Sequence, residues 1–138
     1  MDDCAKDLNY LLINMDPVLD NEELVFCCLP SKQAEDFLTL SQGYFIEKEG
    51  TTIILGKPLA DLNELSYDFI FKKITLSVNS SLEAVGFLAR ITEVLAAQGI
   101  SVNVVSAYHH DHLYVKSSEA ESALDTLRLW QDKLSENI

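Results

Sequence analysis

The sequence has few basic residues, and it has no long apolar run. Ten Lys and Arg side chains stand against 22 Asp and Glu, which gives a formal net charge of −12. Residues 1–70 are the more acidic part, with 14 acidic and 4 basic side chains. Because an acidic chain repels phosphates, we expect binding neither to nucleic acid nor to an anionic membrane surface. No apolar stretch approaches the roughly 20 residues that span a bilayer, so no membrane-spanning helix is expected.

Glycine and cysteine are also scarce, which limits the possible chemistry. Five scattered glycines form no phosphate-binding loop, and no Gly-x-Ser-x-Gly motif is present. The cysteines Cys4, Cys27 and Cys28 are odd in number, so a disulfide framework is not indicated. Cys27 and Cys28 lie among apolar residues, and an apolar environment raises the pKa of a thiol, which disfavours a catalytic role. With an acidic N-terminus that does not resemble a signal peptide, the sequence predicts a cytoplasmic protein that is not an enzyme.

A strand, a helix and a hairpin are predicted from residue 74 onward. Three apolar residues alternate with polar ones, as in a strand with one buried face: Ile74, Leu76 and Val78. Ser80 and Glu83 have the spacing of a capping box, which predicts a helix start. Gly99 stands where a left-handed residue would end that helix. The apolar stripe predicted for the helix is Leu82, Val85, Leu88, Ala89, Thr92, Leu95 and Ala96.

The hairpin and a last helix complete this half of the chain. Residues 109–112 are predicted as the hairpin turn, and residues 113–116 as the returning strand. A helix from about Ser118 has an apolar face made of Ala120, Ala123, Leu124, Leu127, Trp130 and Leu134. The order β-α-β-β-α is that of a ferredoxin-like unit without its last strand. Another segment of the chain is therefore expected to complete the sheet.

The first half of the chain repeats the same order of elements. Its predicted elements are a helix at 4–14, a loop at 16–21, a strand at 24–29, a helix at 33–40 capped by Ser31, a hairpin of 44–48 with 51–55, and a helix at 56–65. From residue 24 this is again strand, helix, hairpin and helix. The sequence thus predicts two diverged copies of one unit, at residues 1–70 and 71–138.

Three blocks of residues resemble the ACT-domain family: VNSSLEAVG at 78–86, GISVNVV at 99–105 and YHHDHLYV at 108–115. The branch that they resemble most contains small stand-alone bacterial proteins whose ACT domains are similar to those of aspartate kinases. The resemblance is dense over residues 72–128 and thinner upstream. It implies an α+β fold of two ferredoxin-like βαββαβ units side by side. It also implies a regulatory or sensor protein that binds a small molecule, most often an amino acid, without a cofactor.

The resemblance also implies a ligand site at the turn between the first strand and the first helix of the second unit. Its candidate residues are Asn79, Ser80, Ser81, Leu82 and Gly86 on one side, with Asn103, Val104 and Val105 on the other. A helix N-terminus presents free amides that suit a carboxylate, and Gly86 would let a ligand approach closely. The alternative without a ligand is that Ser80 only caps the helix and Gly86 only permits packing.

The histidine-rich turn invites a second interpretation. His109, His110, Asp111 and His112 are residue types that bind zinc. Adjacent strand residues point to opposite faces, so at most His110 and His112 converge, and a third ligand would have to come from elsewhere. We therefore expect no metal site. A metal-dependent enzyme remains the less favoured alternative, beside an interaction module without a ligand. Exposed sheet edges favour a homodimer.

Overall fold

The computed structural model describes residues 7–137, and these residues pack into two compact units. The large unit contains residues 7–21 and 72–137, and the small unit contains residues 22–71. The helices and strands are α1 (Leu8–Ile13), β1 (Pro17–Leu29), α2 (Ser31–Ala34), a 3-10 helix (Glu35–Leu40), β2 (Gly43–Ile46), β3 (Thr51–Gly56), α3 (Lys57–Leu62), β4 (Phe71–Leu76), α4 (Phe87–Ala97), β5 (Val102–Ser106), β6 (Asp111–Lys116), a 3-10 turn (Ser117–Glu119) and α5 (Ala120–Glu136).

The sheet of the large unit has the strand order β1–β4–β6–β5, to which β1 contributes its residues up to Asn21. β5 and β6 are antiparallel, with Val102 opposite Val115 and Ser106 opposite Asp111. The start of β1 is thus the segment that supplies the strand missing from the β-α-β-β-α order. The expected α+β class with ferredoxin-like units is confirmed.

The loop predicted at residues 16–21 is wrong, because β1 already begins at Pro17. Proline is tolerated as the first residue of a strand, where its missing N–H interrupts no ladder. The turn before it is formed by Asp16, whose φ is 41°. The side chain of Gln131 fixes this turn by donating to Asp16 Oδ1 at 2.6 Å and accepting from the Asp16 amide at 3.1 Å.

Helix α4 begins later than the capping-box spacing predicts. Its first residue is Phe87, and Gly86 precedes it with a φ of 89°. Ser80 does not cap the helix, since its hydroxyl donates to Asp111 instead. The Glu83 amide donates to Ser81 Oγ at 3.1 Å, within a turn that precedes the helix.

The later start also changes the buried face of α4. The buried residues are Phe87, Ile91 and Leu95, whereas Leu82 and Val85 are 65% and 83% exposed. The predicted stripe was therefore wrong in its first turn and displaced by one position over most of the helix. Two of its members do pack in the large unit: Leu95 is buried in the core, and Leu88 is partly buried against it. That core consists of Leu11, Leu12, Met15, Ile74, Leu76, Val78, Phe87, Ile91, Leu95, Ile100, Leu113, Val115, Ala120, Ala123, Leu124 and Leu127.

The end of α4 and the buried face of α5 agree with the predictions made from the sequence. Gly99 has a φ of 72°, and the Ile100 amide donates to the Leu95 carbonyl at 3.0 Å, as in a Schellman motif. The predicted face of α5 is buried at Ala120, Ala123, Leu124 and Leu127, with Trp130 and Leu134 partly buried beside them. Both predictions are confirmed.

The small unit is a three-stranded sheet in the order β2–β3–β1, whose apolar face packs on its helices. The predicted hairpin is present, and the Glu47 amide donates to the Gly50 carbonyl at 2.9 Å in its turn. The helix cap predicted at Ser31 is wrong. Pro30 stands at the cap position, and the Ser31 hydroxyl is hydrogen-bonded to Thr51 Oγ1 at 2.9 Å.

Two cysteines of the small unit lie next to each other on β1. Cys27 is buried in the core and Cys28 is exposed, and both are free thiols. Burial raises the pKa of the Cys27 thiol, which fits a packing role. Cys4 lies outside the described residues, as does the start of the helix predicted at 4–14. In the described part of the chain, no helix is long and apolar enough to cross a membrane.

Packing groups the chain differently from the two sequence repeats, 1–70 and 71–138. Leu11, Leu12 and Met15 are buried in the core of the large unit, so α1 packs with the second half of the chain. The repeats concern the order of elements along the sequence, and their boundary near residue 70 stays a prediction.

Candidate functional site

The segment that joins β4 to α4 is hydrogen-bonded to Met15, which precedes β1, and to the β5–β6 hairpin. The Ser77 amide donates to the Met15 carbonyl at 2.7 Å, and the Ser80 amide donates to the His109 carbonyl at 3.1 Å. The hydroxyl of Ser80 donates to Asp111 Oδ2 at 2.8 Å. Because Ser80 and Asp111 are each only 5% exposed, this hydrogen bond is shielded from water.

The N-terminus of α4 has no side-chain cap. Gly86 accepts the first intrahelical hydrogen bond, from the Arg90 amide to its carbonyl at 3.1 Å. The amides of residues 87–89 therefore have no acceptor within the helix. They carry the partial positive charge of the helix N-terminus and suit a carboxylate.

A cavity of about 150 Å³ lies against this helix end, and we call it the α4 cavity. The joining segment contributes Ser80, Ser81, Leu82 and Ala84 to its lining, and residues 86–89 line it from the helix. Ser106 and Asp111 line it from the hairpin. All of these residues belong to the large unit.

Half of the candidate ligand residues line the α4 cavity. Ser80, Ser81, Leu82 and Gly86 are present there, whereas Asn79, Asn103, Val104 and Val105 are not part of the lining. The alternation of β5 explains the difference. Val104 packs toward the core, and Asn103 and Val105 are exposed residues between the core-facing positions.

Six lining residues were not among the candidates: Ala84, Phe87, Leu88 and Ala89 beside the helix start, and Ser106 and Asp111 on the hairpin. The two hairpin residues are the polar ones. They stand opposite each other in the β5–β6 ladder. The predicted turn at 109–112 is wrong, because the chain turns at 107–110, where the Ala107 amide donates to the His110 carbonyl at 3.0 Å. Asp111 is therefore the first residue of β6. Side chains along a strand alternate between the two faces of the sheet, so Ser106 lies on the same face of β5 as Val104, which packs toward the core. This alternation could have predicted the position of Ser106.

The histidines of the same hairpin do not converge. Nδ1–H of His110 donates to the Val78 carbonyl at 3.3 Å, and His112 Nδ1 is hydrogen-bonded to Thr75 Oγ1 at 2.9 Å. Burial lowers the pKa of His112, and Lys73 and His110 lower it further, whereas Asp111 opposes them. Within residues 7–137, no group of three or more His, Cys, Asp or Glu side chains is arranged to hold a metal ion.

Solved structures with the same fold include a protein of unknown function from Vibrio cholerae, described as a possible transport protein. It is 40% identical, with a TM-score of 0.77 over 86% of this chain and 91% of that one. A protein from Agrobacterium tumefaciens is 17% identical, with a TM-score of 0.68 over 83% and 87%. The ligand-free regulatory subunit of aspartate kinase from Thermus thermophilus is 11% identical, with a TM-score of 0.63 over 82% and 94%. Among curated protein sequences, none matches this chain.

Two ACT-domain profiles match the sequence in tandem, one over residues 4–72 and the other over residues 70–128. Together they account for nearly the whole chain. The resemblance drawn from residues 78–86, 99–105 and 108–115 is confirmed, and so is the similarity to aspartate kinase regulatory subunits. The chain belongs to the ACT-domain family.

Proposed function

We propose that this protein is a non-catalytic regulatory protein that binds a free amino acid in the α4 cavity. The observation that carries the proposal is the uncapped end of α4, whose first-turn residues line a cavity of about 150 Å³. An amino-acid carboxylate would accept hydrogen bonds from the amides of residues 87–89 and interact favourably with the helix dipole. Membership in the ACT-domain family supports a small-molecule ligand.

The chemistry of the lining supports a binding role over catalysis. The Ser80 hydroxyl donates a hydrogen bond to the carboxylate of Asp111. A serine nucleophile is activated by a general base such as an imidazole. The two imidazoles of this hairpin with described hydrogen bonds, His110 and His112, are engaged with Val78 and Thr75. Because Ser80 donates its hydroxyl hydrogen to Asp111, it is not paired with an imidazole of the described residues.

Regulation requires that the ligand bind one state of the protein better than another. We propose that the two states differ in assembly, with a homodimer as the state that the ligand favours. β5 is the last strand in the order of the large unit, so one of its edges carries backbone groups available for pairing. Sedimentation velocity with and without the ligand tests this directly. An unchanged sedimentation coefficient would contradict the assembly mechanism.

Binding is tested by thermal unfolding of the protein against each of the twenty amino acids at millimolar concentration. A ligand that binds only the folded state stabilises it by about 2.7 kcal/mol at a hundredfold excess over its Kd. We expect a selective rise in the unfolding midpoint.

A matched pair of variants links the effect to the α4 cavity. Ser106→Leu places a bulky side chain at an exposed position of the lining, and Ser101→Leu makes the same change at an exposed position outside it. The first variant should lose the ligand response and the second should keep it. A flat response of the unmodified protein to all twenty amino acids would contradict the proposal.

A further inference from the structure

The edge strand of the small unit carries three exposed apolar side chains. β2 is the end strand of the sheet, and among the described residues it pairs with β3 alone. Tyr44, Phe45 and Ile46 are 50%, 71% and 70% exposed. Proteins usually protect an edge strand with charged residues or proline, because its backbone groups can pair with another chain. Residues 43–46 contain neither a charged residue nor a proline.

The register of the β2–β3 ladder shows which backbone groups are directed to the open edge. In an antiparallel ladder, hydrogen-bonded and non-hydrogen-bonded pairs alternate along the strands. Glu47 and Gly50 exchange two backbone hydrogen bonds, at 2.9 Å and 3.4 Å. By this alternation, the backbone groups of Phe45 are directed toward β3, and those of Tyr44 and Ile46 are directed toward the open edge. An added strand would therefore pair with the N–H and C=O groups of Tyr44 and Ile46.

The two faces of β2 differ in their chemistry. Tyr44 stands opposite the core residue Ile53, so Tyr44 lies on the face of the sheet that packs on the helices. Ile46 lies on the same face, because side chains along a strand alternate between the two faces. Phe45 and the exposed Glu47 lie on the other face. An added strand would thus meet apolar side chains on one face, and an aromatic ring with a carboxylate on the other.

The charge of the small unit favours a basic partner. Residues 22–71 contain 9 acidic and 3 basic side chains, which gives a net charge of −6. Gln42, which precedes β2, donates to Glu22 Oε2 at 3.5 Å, so a carboxylate lies near each end of the strand. A second copy of this chain would bring a unit of the same charge to the edge, and like charges oppose association. A basic segment would instead be attracted.

We propose that β2 binds an extended segment of a partner protein in which apolar and basic residues alternate. The segment adds a strand to the sheet through the backbone groups of Tyr44 and Ile46. Its apolar side chains pack beside these two residues. Its basic side chains extend along Phe45 toward Glu47, so that their aliphatic stems cover the ring and their charges meet the carboxylate. This site belongs to the small unit, so the inference does not depend on the α4 cavity.

Titration calorimetry on the full chain tests the inference with a blocked heptapeptide of alternating lysine and valine. We expect it to bind at least about tenfold more tightly than the same peptide with glutamate in place of lysine. N-methylation removes backbone donors. The peptide methylated at every valine or the one methylated at every lysine should therefore lose binding, depending on which N–H groups are directed toward β2. Three results would overturn the inference: no binding by the lysine peptide, equal binding by the glutamate peptide, or full binding by both methylated peptides.

Two variants assign the binding to β2. Ile46→Pro removes an N–H at the open edge without interrupting the ladder to β3, and it should abolish binding of the lysine peptide. Glu47→Lys should weaken the lysine peptide at least about tenfold and strengthen the glutamate peptide. Asp125→Lys makes the same change of charge at an exposed position of α5 and should leave both affinities unchanged. Undiminished binding of the lysine peptide to Glu47→Lys overturns the inference, even where Ile46→Pro fails to fold.

Sedimentation velocity without peptide tests the other occupant, a second copy of this chain. We expect the unmodified protein and Ile46→Pro to have the same sedimentation coefficient, because the acidic edges of two copies repel each other. A dimer that is present in the unmodified protein and lost in folded Ile46→Pro would identify a second copy as the partner of β2. That result would overturn the inference.

Discussion

Gly86 precedes α4 with a φ of 89° and a ψ of −10°, a backbone conformation that residues with a Cβ rarely adopt. Replacing it with alanine tests whether this glycine is required by the backbone or by the space around it. A Cβ at this position would lie 3.7 Å from Leu8 Cδ2, which is ordinary van der Waals contact. The structure therefore predicts no steric clash, and the effect of Gly86→Ala should come from the backbone alone.

The expected loss follows from the cost of the left-handed conformation. An L-residue in this region is disfavoured by about 1–2 kcal/mol relative to glycine. For a chain of this size, such a loss lowers the unfolding midpoint by about 3–8 °C. A bulky side chain would bear the same backbone cost. Replacement of Gly86 therefore cannot test ligand binding without also changing stability.

Gly43→Ala is the matched control. Gly43 is not among the glycines with positive φ, and a Cβ there would have no heavy atom within 4 Å. Alanine at a compatible glycine position stabilises by about 0.4–1 kcal/mol, because it reduces the entropy of the unfolded chain. Calorimetric unfolding should thus give opposite shifts for the two variants. If Gly86→Ala is as stable as Gly43→Ala, the reasoning on the start of α4 is refuted.

Three further predictions concern burial. Ile91→Ala should lower the free energy of unfolding by about 2–5 kcal/mol, while Val85→Ala stays within about 0.5 kcal/mol of the parent; equal losses in urea titrations would contradict the buried face of α4. As the pH falls through 6.5, the protein should lose stability, because the unfolded state protonates His112 before the folded state does. The variant His112→Gln should lose less stability than the parent as the pH falls. An NMR titration that places the pKa of His112 at or above 6.5 would refute this prediction. Iodoacetamide should modify Cys28 faster than Cys27, whose thiol is buried with a raised pKa; peptide mass spectrometry that finds equal rates would disprove this.

Elements with a complete local pattern were predictable from the sequence. The apolar face of α5 repeats at helical spacing, and Gly99 is the residue type that a left-handed helix end needs. The β2–β3 hairpin likewise has β-branched residues in its second strand and a glycine in its turn. In each case the residues that decide the structure lie within a few positions of one another, so the pattern and the packing agree.

Only half of the α4 cavity was predictable, because its lining is brought together by contacts between residues far apart in the chain. Ser80 and Glu83 have the spacing of a capping box, but Ser80 bonds to Asp111, 31 residues away, and the helix begins only after Gly86. Asp111 was placed in a turn, because nothing local fixes the length of a hairpin turn between polar residues.

The sequence by itself determined the family, the α+β class, the order of the strands and helices along the chain, and the strand-to-helix turn where the candidate site lies. Only the tertiary structure decided that the start of β1 completes the sheet of the large unit, and that Asp111 lines the α4 cavity. Both depend on contacts between segments far apart in the chain, such as Asp16 with Gln131 at a separation of 115 residues. Such contacts are fixed by the packing of the whole unit and leave no periodic signal in the sequence.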